Sequence, residues 1–343
     1  MGNPADLDIA VVIVTYRCAQ LTIDSVRSLE SERSTAGMSV RAIVVDNASG
    51  DLPALAEAVE LNQWSSWVTL VEAPRNGGFA YGNNVGIAHA WASRRPSYLY
   101  LLNPDAQVRP GAIASLVRFL EGRPEVGIVG GSFENLDGSD WPIAFRFPSL
   151  MSEIVQGLEF GLATHVLRRW EVARHMDKAS QQVDWISGAS MMIRPEVFTA
   201  VGGLDENYFL YFEETDFCRR AKQAGFLTWY LPESRVMHIG GQTTNVSDLT
   251  RGTKRLPDYW FDSRRRYFVV TYGVAEAMAI DIVAVIAHAL GSLKRITLQP
   301  TRAGVPHFIR DLIRHSVWWP RNRKFVPVRY TTVDGSTERP VAN

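Results

Sequence analysis

Apolar residues in the first hundred positions fall into short unbroken runs, each followed by a stretch whose apolar positions recur at helical spacing. Residues 9–14 are continuously apolar and rich in β-branched side chains, as in a strand buried on both faces of a parallel sheet. The run stops at Thr15-Tyr16-Arg17, and Leu21, Val26 and Leu29 then follow a helical repeat. A second run, residues 40–45, ends at Asp46-Asn47-Ala48-Ser49-Gly50-Asp51, with Leu55, Ala58 and Val59 marking the next helix. Val68–Glu72 predicts a third strand, closed by Pro74-Arg75-Asn76-Gly77-Gly78 ahead of a helix over 81–92. Tyr98–Leu102 is the fourth. It stops at Asn103-Pro104-Asp105, because Pro104 cannot donate to a sheet ladder and biases Asn103 toward an extended conformation. Strands alternating with helices predict an α/β fold with a parallel, doubly wound sheet.

The second half is less regular. A helix is expected over 110–120 and a strand over 126–130, followed by a long, poorly periodic segment, 132–184, with a helix at 152–167. Such a segment is a substrate-binding insert or a surface excursion with its own small core. Residues 183–194 read as a loop feeding a buried strand, then a short helix at Pro195–Val201. The aromatic-rich stretch 208–212 breaks into Glu213, Glu214 and Asp216, and a helix carries on through Phe217, Ala221 and Ala224. Two further strands are expected at 227–230 and 236–241, the latter carrying His238.

Past Gly241 the character changes. Residues 243–254 are polar, and 259–272 carry Arg264-Arg265-Arg266 among aromatics. Residues 274–290 are mostly apolar but include Glu276, Asp281 and His288, which argues against a simple membrane span. An amphipathic helix lying on a membrane, or packed on the main domain, fits better. A second basic amphipathic helix is expected over 308–319, with Arg310, Arg314 and His315, ending at Trp318-Trp319-Pro320; such Trp–Arg clusters suit a bilayer interface.

With 343 residues, 46% of them hydrophobic and 21% charged, the chain is globular, with one large core or two smaller ones. Its formal net charge is zero, yet residues 251–329 hold 15 Lys/Arg against 5 Asp/Glu. An acidic front with a basic rear argues against a nucleic-acid partner and allows the rear to meet an anionic phospholipid surface. Cys18 and Cys218 make no disulfide framework, which points to a reducing, cytoplasmic setting, and residues 1–8 lack the basic start of a secretory signal.

Thr15/Tyr16, Asp46 and Asn103/Asp105 stand at strand ends, and Arg75 follows another, on the edge where open α/β sheets bind ligands. That is a crevice of phosphate or nucleotide type, with neither a dinucleotide fingerprint nor a Walker loop. A lone carboxylate such as Asp105 beside an amide suits a hard metal ion carrying phosphates, although Asn, Pro and Asp are also ordinary turn residues. The helix macrodipole accounts for Asp216, an acidic residue in a first turn. It does not account for Glu213-Glu214 directly behind an aromatic run, where desolvation and like charge raise at least one pKa and suit proton abstraction. His238 is a metal ligand or a structural histidine.

The ordered set of motifs resembles the inverting family 2 glycosyltransferases of GT-A fold, and among them the bacterial rhamnosyltransferase-like branch. The matching pieces are Val14-Thr15-Tyr16, Val45-Asp46-Asn47-Ala48-Ser49, Asn76-Gly77-Gly78-Phe79-Ala80 and Leu102-Asn103-Pro104-Asp105. They continue with Trp185-Ile186-Ser187-Gly188-Ala189, Tyr211-Phe212-Glu213-Glu214-Thr215-Asp216 and His238, over about residues 8–245. The resemblance implies a Rossmann-like, mostly parallel GT-A domain over 1–245, a basic helical extension over 246–330 and a disordered tail over 331–343. It also implies that Thr15, Tyr16, Asp46, Arg75, Asn76, Asn103 and Asp105 bind a nucleotide sugar, with Asp46 accepting the N3–H of uracil or thymine. Asp105 and His238 would hold Mg²⁺ or Mn²⁺. Asn103 departs from the family's usual first carboxylate and brings no charge. Trp185, Ser187 and Gly188 would border the acceptor, and Glu214 would stand where the family has its catalytic Asp, with Glu213 and Asp216 as rivals.

The expected activity is transfer of a sugar, L-rhamnose from dTDP-rhamnose before other dTDP- or UDP-sugars, to a hydroxyl of a cell-envelope or polyprenyl-diphosphate-linked glycan. The protein would be cytoplasmic or peripheral on the inner membrane face. The alternative is a non-catalytic nucleotide-sugar-binding or scaffold protein, for which Asn103 is the motive.

Overall fold

The computed structural model describes residues 7–33, 37–141, 143–158, 167–239, 254–298, 304–323 and 326–330. In chain order the elements are β1 (Leu7–Thr15), α1 (Ala19–Ser28), α2 (Glu30–Arg33), β2 (Met38–Asp46), α3 (Leu52–Leu61), β3 (Val68–Glu72) and α4 (Gly78–Ser93). Then come β4 (Tyr98–Leu102), β5 (Ala106–Val108), α5 (Ala112–Glu121), β6 (Val126–Glu134), β7 (Asp140–Trp141), β8 (Ile143–Phe145), α6 (Leu150–Leu158), β9 (Ala173–His175) and β10 (Gln181–Val183). The last are β11 (Ser190–Ile193), α7 (Pro195–Val201), α8 (Glu213–Gln223), β12 (Leu227–His238), α9 (Asp258–Leu298) and α10 (Phe308–His315).

The main sheet runs β10-β12-β6-β11-β4-β1-β2-β3, with β5 also on β12 and β7 also on β6. β3, β2, β1 and β4 are parallel, as βαβ units require, and β6 and β12 are parallel to each other. β11 lies antiparallel between β4 and β6, so its N-terminal end joins the edge where β1, β2 and β4 finish. Both faces are covered. Ile9, Val11 and Ile13 of β1 pack on one side with Leu29, Leu55 and Leu116, while Ala10, Val12 and Val14 pack on the other with Ile87, Met191 and Phe217. This two-sided burial is why the strand reads as an unbroken apolar run.

Several expectations need correction. The strands expected at 227–230 and 236–241 are one strand, β12, whose register against β6 slips between Leu231 and Arg235. The slip lets polar residues sit mid-strand without ending it. β6 extends past residue 130 to Glu134, held at the sheet by Arg109 and Arg235, which pair with the buried Glu134 carboxylate. α6 takes up the start of the helix expected at 152–167; residues 159–166 lie outside the described residues, as do the boundary expected near 245 and the tail from 331. α8 begins at Glu213, so both glutamates lie in its first turn. The helix expected over 308–319 ends at His315, because Ser316 turns extended (ψ 157°).

The rear helices are built into the edge of the sheet domain. α9 is broken by Gly273, whose φ of 81° is a left-handed conformation that glycine tolerates. Its first half meets the aromatic loop 208–212: Ser263 Oγ donates to Leu210 O at 3.0 Å, and Tyr208, Tyr267 and Phe268 share a cluster. Arg264, 2% exposed, donates to Glu153 Oε2 of α6 at 2.7 Å and to Asp281 Oδ1 at 2.6 Å, while Asp281 Oδ2 accepts the Val317 N–H at 2.9 Å. One guanidinium therefore ties α6, both halves of α9 and the segment after α10. The arginine triplet is not a free basic patch, since Arg265 pairs with Asp262 at 2.7 Å and Arg266 with the buried Asp205. Burial and the charges of Arg264 and Arg295 push the His288 pKa down to about 4, so this histidine packs on Phe308 as a neutral ring. What α9 leaves open is apolar. Ile282, Ile286, Leu290, Leu293 and Ile296, spaced as one helix face, are 44–74% exposed.

Replacing Arg264 by Met strips two buried carboxylates of their partner and should cost about 3–5 kcal/mol of stability in urea unfolding of the full chain. A loss below about 1 kcal/mol, the usual worth of a surface pair, would show that the network does not hold the rear helices.

Candidate active site

The loops at the carboxyl edge are tied to one another by side chains. Thr15 Oγ1 and the Cys18 N–H both donate to Asp51 Oδ2, at 2.9 and 2.8 Å, which joins the loop after β1 to the one after β2. Asp46 accepts from Ser49 N and Oγ at 2.8 and 2.6 Å and from Leu52 N at 3.2 Å, shaping its own turn. Oδ1 takes both Ser49 bonds and Oδ2 takes one, so Oδ2 retains acceptor capacity. Asn47 donates to Asn76 Oδ1 at 3.1 Å and to Gly78 O at 3.0 Å, and Asn76 Oδ1 also accepts the Gly78 N–H at 3.1 Å. Thr15 and Asn76 thus set loop geometry, whereas Arg75 is exposed over the Tyr81 ring (4.2 Å) and Tyr16 is half-buried beside Arg17. Asn47 and Asp51 tie the loops of this edge together, a task that residue type alone does not reveal. Their signal is membership of the same polar run as Asp46.

At the end of β4, the Asn103 N–H donates to Ala189 O at 3.1 Å, and β5 then pairs Ala106 with His238. Asp105, only 3% exposed, is thereby brought to His238: Oδ1 makes no hydrogen bond and lies 3.3 Å from His238 Nε2. Asn103 Nδ2 is 3.5 Å from the same nitrogen. Phe133 and Trp141 hold the imidazole, the latter stacked at 12° with centroids 6.4 Å apart. No three His, Cys, Asp or Glu side chains converge among the described residues. One orphaned carboxylate oxygen, an imidazole and an amide still fit a hard divalent ion that completes its shell with phosphate oxygens and water.

The third group lies at α8. Tyr211 and Phe212 both adopt left-handed conformations, φ 72° and 68°, which non-glycine residues hold only when their surroundings impose it. Here the Phe79 N–H donates to Phe209 O at 2.9 Å, and Tyr211 and Phe212 pack against Tyr259, Trp260 and Tyr267 of α9. Gly78 makes the approach possible: with φ +84°, a Cβ there would stand 1.8 Å from Phe209 O. The reversal leaves Glu213, Glu214 and Asp216 on the first turn of α8 with different fates. Burial would raise the Asp216 pKa, but the charges of Arg220 (2.7 Å) and Arg219 (2.8 Å) outweigh it and hold the carboxyl below its ordinary value. Burial, followed by the charge of Glu214, pushes Glu213 well above the usual range. Burial also raises Glu214, opposed by its own backbone N–H and that of Gly188. Glu214 keeps some exposure, and its Oε2 has no hydrogen-bond partner. Of the three carboxylates it is the one that keeps some exposure, while Glu213 Oε2 is likewise without a partner among the described residues.

The segment 185–188 borders this carboxylate. Trp185 stacks on Phe145 (4.0 Å, 13°) and donates to Arg146 O at 2.9 Å, Ser187 Oγ accepts the Ala189 N–H at 3.2 Å, and Gly188 touches both Glu214 and the Phe79 ring.

A mostly parallel sheet with one reversed inner strand, a metal-type pair after β4 and a candidate base at the helix beyond β11 defines the GT-A class of glycosyltransferase fold. A solved structure of GalNAc-T7 with UDP, GalNAc and Mn²⁺ superimposes with a TM-score of 0.56 at 15% identity, over 94% of this chain and 59% of that one. The mannosyltransferase PcManGT from Pyrobaculum calidifontis, solved with GDP-Man and Mn²⁺, gives 0.50 at 14% identity, over 85% of this chain and 75% of that one. Residues 4–255 match the model of glycosyltransferase like family 2, and the chain belongs to that family. It is 33% identical over 151 residues to N-acetylglucosaminyl-diphospho-decaprenol L-rhamnosyltransferase of Mycobacterium tuberculosis, a match covering 43% of this chain and 48% of that protein. It is 24% identical over 164 residues to the rhamnosyltransferase WbbL of Escherichia coli, covering 47% and 60%. Agl10, a low-salt glycan biosynthesis hexosyltransferase of Haloferax volcanii, is 26% identical over 224 residues, covering 63% and 62%. The matches thus span about half to three fifths of these relatives.

Because Glu214 must be ionised to take a proton, kcat/KM should rise with pH through an acidic limb above about 4.3, the ordinary glutamate value. Glu213→Gln imitates a side chain that is already neutral, so turnover should stay within several-fold of wild type. Glu214→Gln should lower it about 10²–10⁴-fold with donor binding intact. Loss in Glu213→Gln with retention in Glu214→Gln would exchange the two roles.

Proposed function

We propose that this protein is an inverting glycosyltransferase that moves L-rhamnose from dTDP-rhamnose to a hydroxyl of a polyprenyl-diphosphate-linked or other cell-envelope glycan. One chain of contacts carries the reading: Glu214 lies against the Gly188 amide, and the carbonyl of neighbouring Ala189 holds the loop of Asn103 and Asp105. Base and diphosphate site are thereby fixed to one another through a two-residue link. Glu214 takes the proton of the acceptor hydroxyl, the oxygen attacks the anomeric carbon, and the bond to the leaving diphosphate breaks on the opposite face, inverting the centre. Mg²⁺ or Mn²⁺ held by Asp105 and His238 would neutralise charge developing on that diphosphate. Tyr16 and Arg75 meet the nucleotide in this reading, and Asp46 is its pyrimidine-reading carboxylate. The Mycobacterium tuberculosis relative's name supports both the sugar and the lipid-linked acceptor. A non-catalytic binding protein, the reading that Asn103 favours, leaves the unpaired Glu214 and Asp105 oxygens without a purpose.

A lipid-linked acceptor places the enzyme at a membrane surface, and the apolar face of α9 supplies the contact. Its five exposed aliphatic side chains are accompanied by exposed Arg310, Arg314 and Trp319, a pairing suited to an anionic phospholipid interface. This contact is peripheral, because α6 and α10 pack on the other sides of the helix.

Calorimetry should show dTDP or UDP binding more tightly than GDP, and Mn²⁺ binding in the presence of dTDP should vanish in Asp105→Ala. Full turnover in excess EDTA would remove the metal from the mechanism. Co-sedimentation with anionic vesicles should fall sharply in the Ile286→Asp/Leu290→Asp double variant with the fold unchanged. Equal sedimentation of both proteins would mean that this face meets something other than lipid.

A further inference from the structure

A cleft of about 730 Å³ opens beside β6 and β12, lined by Ser132, Asp140, Lys178, Tyr230, Glu233 and Arg235, with Met176, Asp177 and Pro232 completing the wall. Its volume is that of a small-molecule site. None of these residues belongs to the metal pair, the nucleotide loops or the glutamates. The cleft wall adjoins the metal pair through the chain, since Asp140 precedes Trp141, whose indole stacks on His238. Tyr230 is fully buried in the cleft wall, its hydroxyl beside that of Ser132, which also lines the cleft. A ligand that hydrogen-bonds with these hydroxyls is favoured over one that only covers them.

The lining decides the ligand's chemistry. Three carboxylates face two cations, and Arg235 is already paired with Glu134 and Asp140. A phosphate or diphosphate would meet an acidic surplus. An apolar chain would desolvate charges without replacing their hydrogen bonds. A neutral polyhydroxylated ligand satisfies both conditions, because its hydroxyls donate to carboxylates and to Tyr230 while its C–H face lies on Met176 and Pro232. We infer that this cleft binds a neutral sugar unit of the acceptor glycan, one that does not itself react. The inference rests on the transferase reading above and extends it to an acceptor longer than a single residue.

The test is ligand-observed NMR titration of the full chain, without donor, using N-acetylglucosamine, glucose, galactose, rhamnose and diacetylchitobiose, with inorganic diphosphate as the anionic probe. At least one neutral sugar should bind. Its apparent Kd should weaken about 10-fold in Tyr230→Phe/Glu233→Gln, as the loss of one charge-assisted hydrogen bond implies. Lys178→Ala, on an exposed loop, serves as a second variant should the first disturb the sheet. Release of dTDP from dTDP-rhamnose by transfer to water should be the same in all three proteins. Absence of sugar binding, equal binding by wild type and both variants, or preferential binding of diphosphate would overturn the inference. Failure of nucleotide release in the wild type would instead strike the transferase reading, and the sugar titration would still judge the cleft.

Discussion

The contact between Gly78 and the carbonyl of Phe209 is the constraint on which the site depends. The loop after β3 lies at the edge where β1, β2 and β4 finish, and residues 208–212 lead into the helix that carries the glutamates. With 1.8 Å between that carbonyl and the place of a Cβ, only glycine lets the two backbones meet. The Phe79 amide then fixes the carbonyl, and Tyr211 and Phe212 are held in left-handed conformations that turn the chain straight into α8. A looser junction would let Glu214 drift from the Gly188 amide, and a displacement of about 1 Å is enough to cost a reacting geometry much of its rate.

Three acidic residues within four positions share one helix turn and end in different electrostatic states. The two arginines one turn further along α8 keep Asp216 ionised in the core, where it braces the helix against Val201 and Gly203 through Arg220. No such partner reaches Glu213, so burial favours its protonated form. Glu214 stands between these extremes: burial raises its pKa, its own amide and that of Gly188 oppose the rise, and it keeps some exposure. A protonated neighbour also spares Glu214 a second negative charge at close range.

The rear helices do more than close the domain. Aromatic residues of α9 form the outer wall of the 208–212 loop, so the helix on which the apolar face lies is the one that supports the strained turn. The Arg264 network anchors this arrangement in the interior, where ion pairs are screened little and must be complete. Much of the positive charge that the rear sequence carries is used within the fold. Attraction of α9 to a surface therefore depends more on exposed aliphatic area than on the local excess of basic residues.

The sequence by itself determined the sheet of the first half. Strands buried on both faces must be continuous apolar runs, and Pro104 and the polar strand ends mark their limits, so β1 to β4 and α7 were legible almost residue by residue. It also determined which side chains could do chemistry, because Asp105, Glu214 and His238 each stand out from an apolar context. Tertiary structure alone decided how those side chains divide the work. That Asp216 is paired follows from Arg219 and Arg220, which helical spacing places near it but only packing aims. Thr15 and Asn76 hold loops through partners 36 and 29 positions away. β12 is a single strand because β6 continues beside it and a register slip absorbs its polar residues. The arginine triplet counts toward the basic excess of the rear sequence, and three like charges in a row are normally solvated. Arg264 and Arg266 meet Glu153, Asp205 and Asp281, as far as 111 positions away in the chain, and no local pattern records a contact of that range.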